Sequence, residues 1–250
     1  MEKTYLSVII PAYNEEKGIS RTLLDIDQYL SKQKYTYEII VVNDGSSDNT
    51  SGVVNKFSEL IKNLRLIDNE KNHGKGWVVR QGMLEAKGEI RLFMDADNAT
   101  TIEHFDKMRP LFDQGSEVVI GSRDKKDAKE ANQAVSQSFL KRQMGNLGNI
   151  LIQVVAVWGI WDTQCGFKAF TAGAVEDIFS RGKTNRWGFD IEALALARKL
   201  GYKIGIIPVH WVNNPNSRVG IKGYFITIKE LFKIKWNLVT GKYGKLQKRK

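Results

Sequence analysis

Two carboxylates one residue apart, Asp95 and Asp97, follow the apolar run Ile90, Leu92, Met94. A strand alternates its side chains, and the turn after it lets both carboxylates face a single cation. Carboxylate and phosphate oxygens suit Mg²⁺ or Mn²⁺, which keep some water and bridge to substrate phosphates. A metal held this way neutralises a departing diphosphate. An isolated Asp-x-Asp is more often a solvated turn. Its place at the end of an apolar strand favours the metal here.

Three more polar clusters carry candidate chemistry. In Asn43-Asp44-Gly45-Ser46-Ser47-Asp48, helix capping accounts for Ser47 or Asp48. It does not require Asp44 at the end of an apolar strand, where a carboxylate can accept from a base N–H. Pro11-Ala12-Tyr13-Asn14-Glu15-Glu16 suits a plain strand-to-helix turn, and equally a nucleoside site with Tyr13 against a base and Glu15 on a ribose hydroxyl. Asn72-His73-Gly74-Lys75-Gly76 opens a helix. Its glycines allow close backbone approach, the helix N-terminus favours anions, and Lys75 adds a point charge. The spacing is not that of a Walker loop, and His73 has no Cys or His partner at zinc-ligand spacing.

The elements that must position these clusters alternate. Apolar runs at Leu6–Pro11, Tyr37–Val42, Leu64–Ile67, Glu89–Met94 and Val118–Gly121 read as strands. Helical spacing at Glu16–Leu30, after Asp48, at Lys75–Ala86 and at Ile102–Phe112 separates them. Short strands apolar on both faces, with helices between, imply a parallel sheet covered on both sides. Ligands bind such sheets beyond the carboxyl ends of the strands, where the three strand-following clusters converge. The second half is less regular. It offers a long amphipathic helix over Ser136–Trp158, a loop and short strand at Thr163–Phe170, a helix at Trp187–Leu200, a strand at Lys203–Trp211 and an apolar-basic helix over 222–239.

In this order the motifs resemble the family-two glycosyltransferases of the GT-A fold, an α/β, mostly parallel sheet with helices on both faces. The resemblance runs over nearly the whole chain. It tightens toward the dolichyl-phosphate β-glucosyltransferases at Asp95–Thr100, Gly121-Ser122-Arg123, Asp162–Lys168 and Arg186–Glu192. The string Gln164-Cys165-Gly166-Phe167-Lys168 is far more specific than the Asp-x-Asp. The resemblance implies that Pro11, Tyr13, Glu15 and Asp44 hold the nucleoside, and that Asp95 and Asp97 organise Mg²⁺ or Mn²⁺ with the diphosphate. It makes Lys75, Arg123 and Arg218 phosphate contacts, and places Gln164, Gly166, Lys168, Trp187 and Asp190 on the sugar and acceptor side. Asp97, Asp190, Arg123, Gln164 and Lys168 are then the catalytic set. Asp190 and Glu192 lie on different faces of one helix, so one of them, Asp190, is expected to enter the site. Cys165 reads as a packed residue, since nothing beside it marks an activated thiol. Position 98 is Asn where the resemblance leads one to expect Gly, and no counterpart of the N-terminal anchor of eukaryotic relatives is expected from Met1–Leu6.

The implied reaction is inverting transfer of a hexose, glucose by resemblance, from UDP-glucose to a polyprenyl or dolichyl phosphate. Such an acceptor is already ionised and needs no strong base. GDP-mannose as donor, a saccharide acceptor requiring a base, and a non-catalytic nucleotide-sugar-binding module are the rival readings.

Composition bounds the setting. With 42% hydrophobic and 26% charged residues, the 250-residue chain is an ordinary globular protein. The single cysteine allows no intrachain disulfide and fits a reducing compartment. No signal peptide is expected from Met1–Leu6, and no run approaches the roughly 18 apolar residues of a spanning helix. Of the net charge of +10, residues 222–250 hold +8, nine Lys or Arg against one acid, Glu230. A nearly neutral body argues against a nucleic-acid groove, and aromatic stacking motifs are absent. The division is thus a catalytic domain over 1–221 and an amphipathic, basic extension over 222–250. Tyr224, Phe225, Ile228, Leu231, Phe232 and Trp236 are expected near one helical stripe, bordered by lysines, suited to a membrane surface. Peripheral attachment to the cytoplasmic face of a membrane follows from that reading.

Overall fold

The structure, a computed structural model, describes residues 3–133, 148–212 and 221–248, except the side chains of Asn132, Gln133, Ile221, Lys222 and Tyr224. In chain order, β1 (Leu6–Ala12), α1 (Ile19–Leu30), β2 (Tyr37–Asp44), α2 (Thr50–Leu60), β3 (Leu64–Asn69), α3 (Lys75–Glu85) and β4 (Ile90–Met94) make a regular alternation. A 3₁₀ turn (Ile102–His104), α4 (Phe105–Asp113), β5 (Val118–Ser122) and a two-residue β6 (Asn132–Gln133) follow. Then come α5 over 148–155, β7 (Phe167–Thr171), α6 (Ala172–Phe179) and α7 (Phe189–Leu200). The chain closes with β8 (Ile204–Pro208), β9 (His210–Trp211) and α8 (Ile221–Val239). Residues 134–147, the first part of the helix expected over Ser136–Trp158, and Arg218 lie outside the described residues.

The sheet runs β3-β2-β1-β4-β7-β5-β8. Every pair in it is parallel except those of β7, which is antiparallel to both β4 and β5. Strands β1, β4 and β5 are buried at every residue, as a sheet covered on both faces requires. Alternation along them splits the core in two. Ile9, Ile40, Phe93 and Ile120 pack toward α3, α6, α7 and α8, while Val8, Val41, Leu92 and Val119 pack toward α1, α2 and α4. Helix α1 shows how local spacing fixes its seat: Ile19, Leu23, Ile26 and Leu30, four and three residues apart, are its buried stripe.

Three details depart from the sequence reading. The helix expected from Glu16 begins at Ile19, after a turn in which Glu15 O accepts from Gly18 and Ile19. The strand expected over Lys203–Trp211 is split at Val209, whose N–H donates to Ser122 O, into β8 in the main sheet and β9 against β6. The reversed direction of β7 is the third, and it has the largest consequence. Parallel strands β1, β2, β4 and β5 all end at one edge of the sheet. A strand of opposite direction begins at that edge, so the segment Gln164–Gly166 enters beside the loop that follows β4.

Candidate active site

At that edge the Asp95 N–H donates to Gly166 O at 3.1 Å. A Cβ on Gly166 would overlap the Asp95 carboxylate, so the glycine is a steric requirement of this approach. Lys75, the first residue of α3, places Nζ 2.5 Å from Asp95 Oδ1 and 5.8 Å from the Trp187 ring centre. Burial pulls the Lys75 ammonium down, but Asp95, Asp190 and Asp97 more than offset it and hold it above its ordinary range. Asp97 stands exposed on the loop, with Oδ1 accepting from Ala99 N–H at 3.0 Å. Desolvation and the Asp95 charge raise its carboxyl. Asn98 has φ +54°, the left-handed region that Asn tolerates better than other side chains. Its Nδ2 donates to Asp25 Oδ2 at 2.7 Å, which anchors the loop to α1.

Beneath this loop lies a sealed ion pair. Lys168 Nζ donates to Asp190 Oδ1 at 2.6 Å and to Cys165 O at 2.5 Å, and the Lys168 side chain is wholly buried. This corrects the expectation that Lys168 lines the sugar and acceptor side: it sits in β7 under the site and holds Asp190. Burial raises the Asp190 carboxyl, and Lys168 and then Lys75 pull it back only in part. Cys165 is buried and its thiol is pushed up to about 12, chiefly by desolvation, so it is a packed residue. Gln164 Nε2 donates to Trp187 O at 3.4 Å. Arg123 is also committed. Its Nε and Nη2 form a fork on Asp162 at 2.8 Å each, its backbone N–H donates to the same carboxylate, and its guanidinium lies 5.3 Å from the Trp211 ring centre. A phosphate contact by Arg123 therefore has to share or open that fork.

On the other flank, Asp44 ends β2 and is buried. Its carboxylate accepts from the His73 N–H at 2.6 Å and from the Gly74 N–H at 3.0 Å. Desolvation raises its carboxyl, and these backbone donors counter it. Asp44 thus ties β2 to the loop that opens α3, which is a use the sequence reading did not foresee. Pro11 is buried in β1, and Tyr13 beyond it is exposed. Asn14, at φ +54°, donates its N–H to Ser46 Oγ and accepts from Ser47 N–H, while Glu15 N–H donates to Thr50 Oγ1. The turn after β1 is in this way stitched to the turn after β2.

The turn 184–188 packs against the start of α3. A Cβ on Gly76 would meet Phe189 Cβ and the carbonyls of Thr184 and Arg186, so α3 and this turn touch backbone to backbone. Trp77 N–H donates to Asn185 O at 3.1 Å. Glu192 is buried and points away from Asp190, accepting from the N–H groups of Lys183 and Thr184 and from Tyr243 Oη at 2.6 Å. Glu230 of α8 accepts from Gly188 N–H at 2.7 Å. The bonding partners of Glu192, Glu230 and Asp162 were not read from the sequence. Asp162 and Glu192 lay within the quoted motifs, and Glu230 stood out as the lone acid of the basic C-terminal segment.

Among the described residues no cluster of three His, Cys, Asp or Glu side chains could hold a metal by itself. The donor set nevertheless fits a hard cation bound jointly with a diphosphate. Asp95 and Asp97 supply two carboxylates beside open solvent, and the remaining ligands of such an ion are normally water and phosphate oxygens.

Comparison with known proteins bears on this arrangement. The profile of Glycosyl transferase family 2 matches residues 7–179. A dolichyl-phosphate β-glucosyltransferase of Trichomonas vaginalis is 37% identical over 242 residues, covering 93% of this chain and 73% of the relative. The Homo sapiens dolichyl-phosphate β-glucosyltransferase is 34% identical over 261 residues, covering 98% and 79%. Among solved structures, glucosyl-3-phosphoglycerate synthase from Mycobacterium tuberculosis, with Mn²⁺, uridine diphosphate and phosphoglyceric acid, superposes with a TM-score of 0.67 at 17% identity, over 97% of this chain and 79% of that one. A mannosyltransferase from Pyrobaculum calidifontis with GDP-mannose and Mn²⁺ gives 0.61 at 20% identity, over 96% and 65%. At these identities the structural likeness establishes the fold.

Proposed function

The chain belongs to glycosyl transferase family 2, and on that premise we propose that it moves glucose from UDP-glucose to the phosphate of a polyprenyl or dolichyl lipid, with inversion. The observation that carries this reading is the match to dolichyl-phosphate β-glucosyltransferases across nearly the whole chain, which includes the strand-end segments that converge on Asp95. The acceptor phosphate is an anion at neutral pH, so its oxygen attacks the anomeric carbon without prior deprotonation. Asp190, sealed against Lys168, then serves to position rather than to accept a proton. Tyr13, Glu15 and Asp44 lie on the nucleoside side, and Lys75, Arg123 and Arg218 are the phosphate contacts. Asp95 and Asp97 would hold Mg²⁺ or Mn²⁺, which supplies charge neutralisation for the departing diphosphate. Lys75 balances Asp95 from the protein side.

The lipid acceptor requires a membrane surface, and we assign that contact to 222–250. No helix among the described residues is long and apolar enough to cross a membrane. Helix α8 instead presents Phe225, Ile228, Phe232, Trp236 and Val239 outward, three or four residues apart, with Lys229, Lys233, Lys235 and Lys242 exposed around them. Leu231, expected on that stripe, faces the core with Ile234. Each lysine near an anionic surface contributes about 1 kcal/mol, and the exposed aromatics suit the headgroup level. Peripheral attachment at the cytoplasmic face is the corresponding location.

The test is transfer of radiolabelled glucose from UDP-glucose to polyprenyl phosphate with Mn²⁺. Labelled lipid is expected, abolished by chelator and reduced roughly 10²- to 10³-fold by Asp97→Ala, the scale of losing one charge-stabilising group. Hydrolysis of UDP-glucose without labelled lipid would transfer the acceptor assignment to water or a saccharide. Transfer from GDP-mannose alone would replace the donor.

A further inference from the structure

We propose that Glu230 is a positioning residue, the link by which the seating of α8 fixes the turn that carries Trp187 and starts the helix of Asp190. The inference deepens the reading above and, for its kinetic arm, rests on it. Hydrogen bonds from several elements hold residues 183–188. Glu192 takes the N–H groups of Lys183 and Thr184, Trp77 N–H reaches Asn185 O, and Gln164 reaches Trp187 O. Those partners all belong to the sheet edge and its helices. One bond comes from elsewhere: Gly188 N–H donates to Glu230 Oε2 of α8 at 2.7 Å.

Gly188 immediately precedes α7, where backbone N–H groups have no partner within the helix. A carboxylate is a favourable acceptor at a helix N-terminus, because it meets both unpaired donors and the positive end of the dipole. Here it comes from a distant segment rather than from a local cap. The approach is close, since a Cβ on Gly188 would stand 2.9 Å from Glu230 Cβ. The chemistry of α8 fits this role. Its buried side supplies Leu231 and Ile234 to the core of α7, and its outer side carries the exposed apolar and lysine residues. In a segment with nine Lys or Arg, the single acid is the residue aimed into the protein. A second tie, Tyr243 Oη to the buried Glu192, anchors the end of α8 to α7. The surface offered to a bilayer and the turn bearing Trp187 are therefore joined directly through the Glu230 side chain.

The experiment compares wild type, Glu230→Gln, Glu230→Ala and Gly188→Ala in the full chain. Amide hydrogen exchange over 183–190 reads the link directly. Glu230→Ala and Gly188→Ala should exchange at least roughly tenfold faster there, with exchange in β1 and β4 unchanged. In vesicles of phosphatidylcholine and phosphatidylglycerol containing polyprenyl phosphate, Glu230→Ala should lower kcat for lipid transfer by about tenfold, the scale of a small misplacement. Its affinity for UDP, measured by calorimetry, should stay at the wild-type value. Glu230→Gln keeps an acceptor oxygen and should recover most of both losses. Unchanged exchange at 183–190 in Glu230→Ala would overturn the proposal, as would a parallel loss of UDP affinity or a Glu230→Gln variant as impaired as Glu230→Ala. If the wild type makes no glycosyl lipid, the acceptor assignment fails while the exchange arm still decides the link.

Discussion

Lys168 and Asp190 are sealed from water, whereas Lys75 and Asp95 are not: side-chain exposures are 0% and 6% for the first pair and 23% and 35% for the second. The chemical types are the same and the pairs share one site, yet burial gives them different work. A buried ion pair loses hydration on both partners, and it is tolerable only when each remaining hydrogen-bond position is met. Lys168 makes one such bond to Cys165 O besides its pairing, and so it fixes where the Asp190 charge stands beneath the sheet edge. The Lys75–Asp95 pair keeps contact with solvent at the sheet edge, within reach of dissolved ions. One pair sets geometry, and the other holds a place in charge balance.

The comparison breaks most visibly at Lys168. Lys168→Met should cost about 3–5 kcal/mol of stability in urea unfolding, because Asp190 is left buried beside only the more distant Lys75. The double variant Lys168→Met/Asp190→Asn should regain a large part of that loss, since no uncompensated charge remains. A single-variant cost below about 1 kcal/mol would show that the sealed pair is not the anchor described here.

A third pair sharpens the contrast through pH. Burial alone would raise the Asp162 carboxyl, but the Arg123 fork outweighs it and holds the group below the usual carboxylate range. A carboxyl depressed in the folded state binds its proton more readily when unfolded. Its stabilisation is present above the ordinary carboxylate pKa, near about 4, and is lost as pH falls from there through the folded value. Asp162→Asn should therefore flatten the acid limb of the stability–pH curve. Near neutrality it should cost about 3 kcal/mol, since Arg123 keeps its charge without its partner. Thermal melts from pH 3 to pH 7 measure both, and an unchanged acid limb would assign the acid sensitivity to other carboxylates.

These contrasts also mark what could be read from the chain. The strand ends at Pro11, Asp44 and Asp95 were legible because apolar runs and their terminators are local patterns. The direction of β7 was not, since pairing between Met94 and Phe167 depends on how the intervening 72 residues travel. From that reversal follow the close approach of Gly166 and the burial of Lys168, which in sequence is simply a lysine after an aromatic. That Asp190 and Glu192 face different ways was legible from helical phase, and they bond to different partners. The outer stripe of α8 was legible in its period but not in its phase. Leu231 belongs with Ile234 because α7 lies on that side, a fact written in another element. Arg123 shows the same limit from the other direction, as its motif gave no sign of the distant Asp162.

The smallest stability effect belongs to the open pair, and it is the most informative about function. Lys75 opens α3, where a cation opposes the helix dipole, so its pairing with Asp95 must offset that cost as well as partial desolvation. Lys75→Met should accordingly change unfolding stability by no more than about 1 kcal/mol, the range of solvent-screened pairs. Its ligand effects should be larger and of opposite sign for the two ligands. Removing the cation leaves Asp95, Asp97 and Asp190 without their shared counter-charge, so Mn²⁺ binding to the donor-free protein, measured by calorimetry, should tighten. UDP binding in the absence of metal should weaken, since the anion loses a point charge at a helix N-terminus. If both affinities stay at their wild-type values while stability falls by several kcal/mol, Lys75 is an anchor like Lys168. The distinction between the two pairs would then be one of exposure alone.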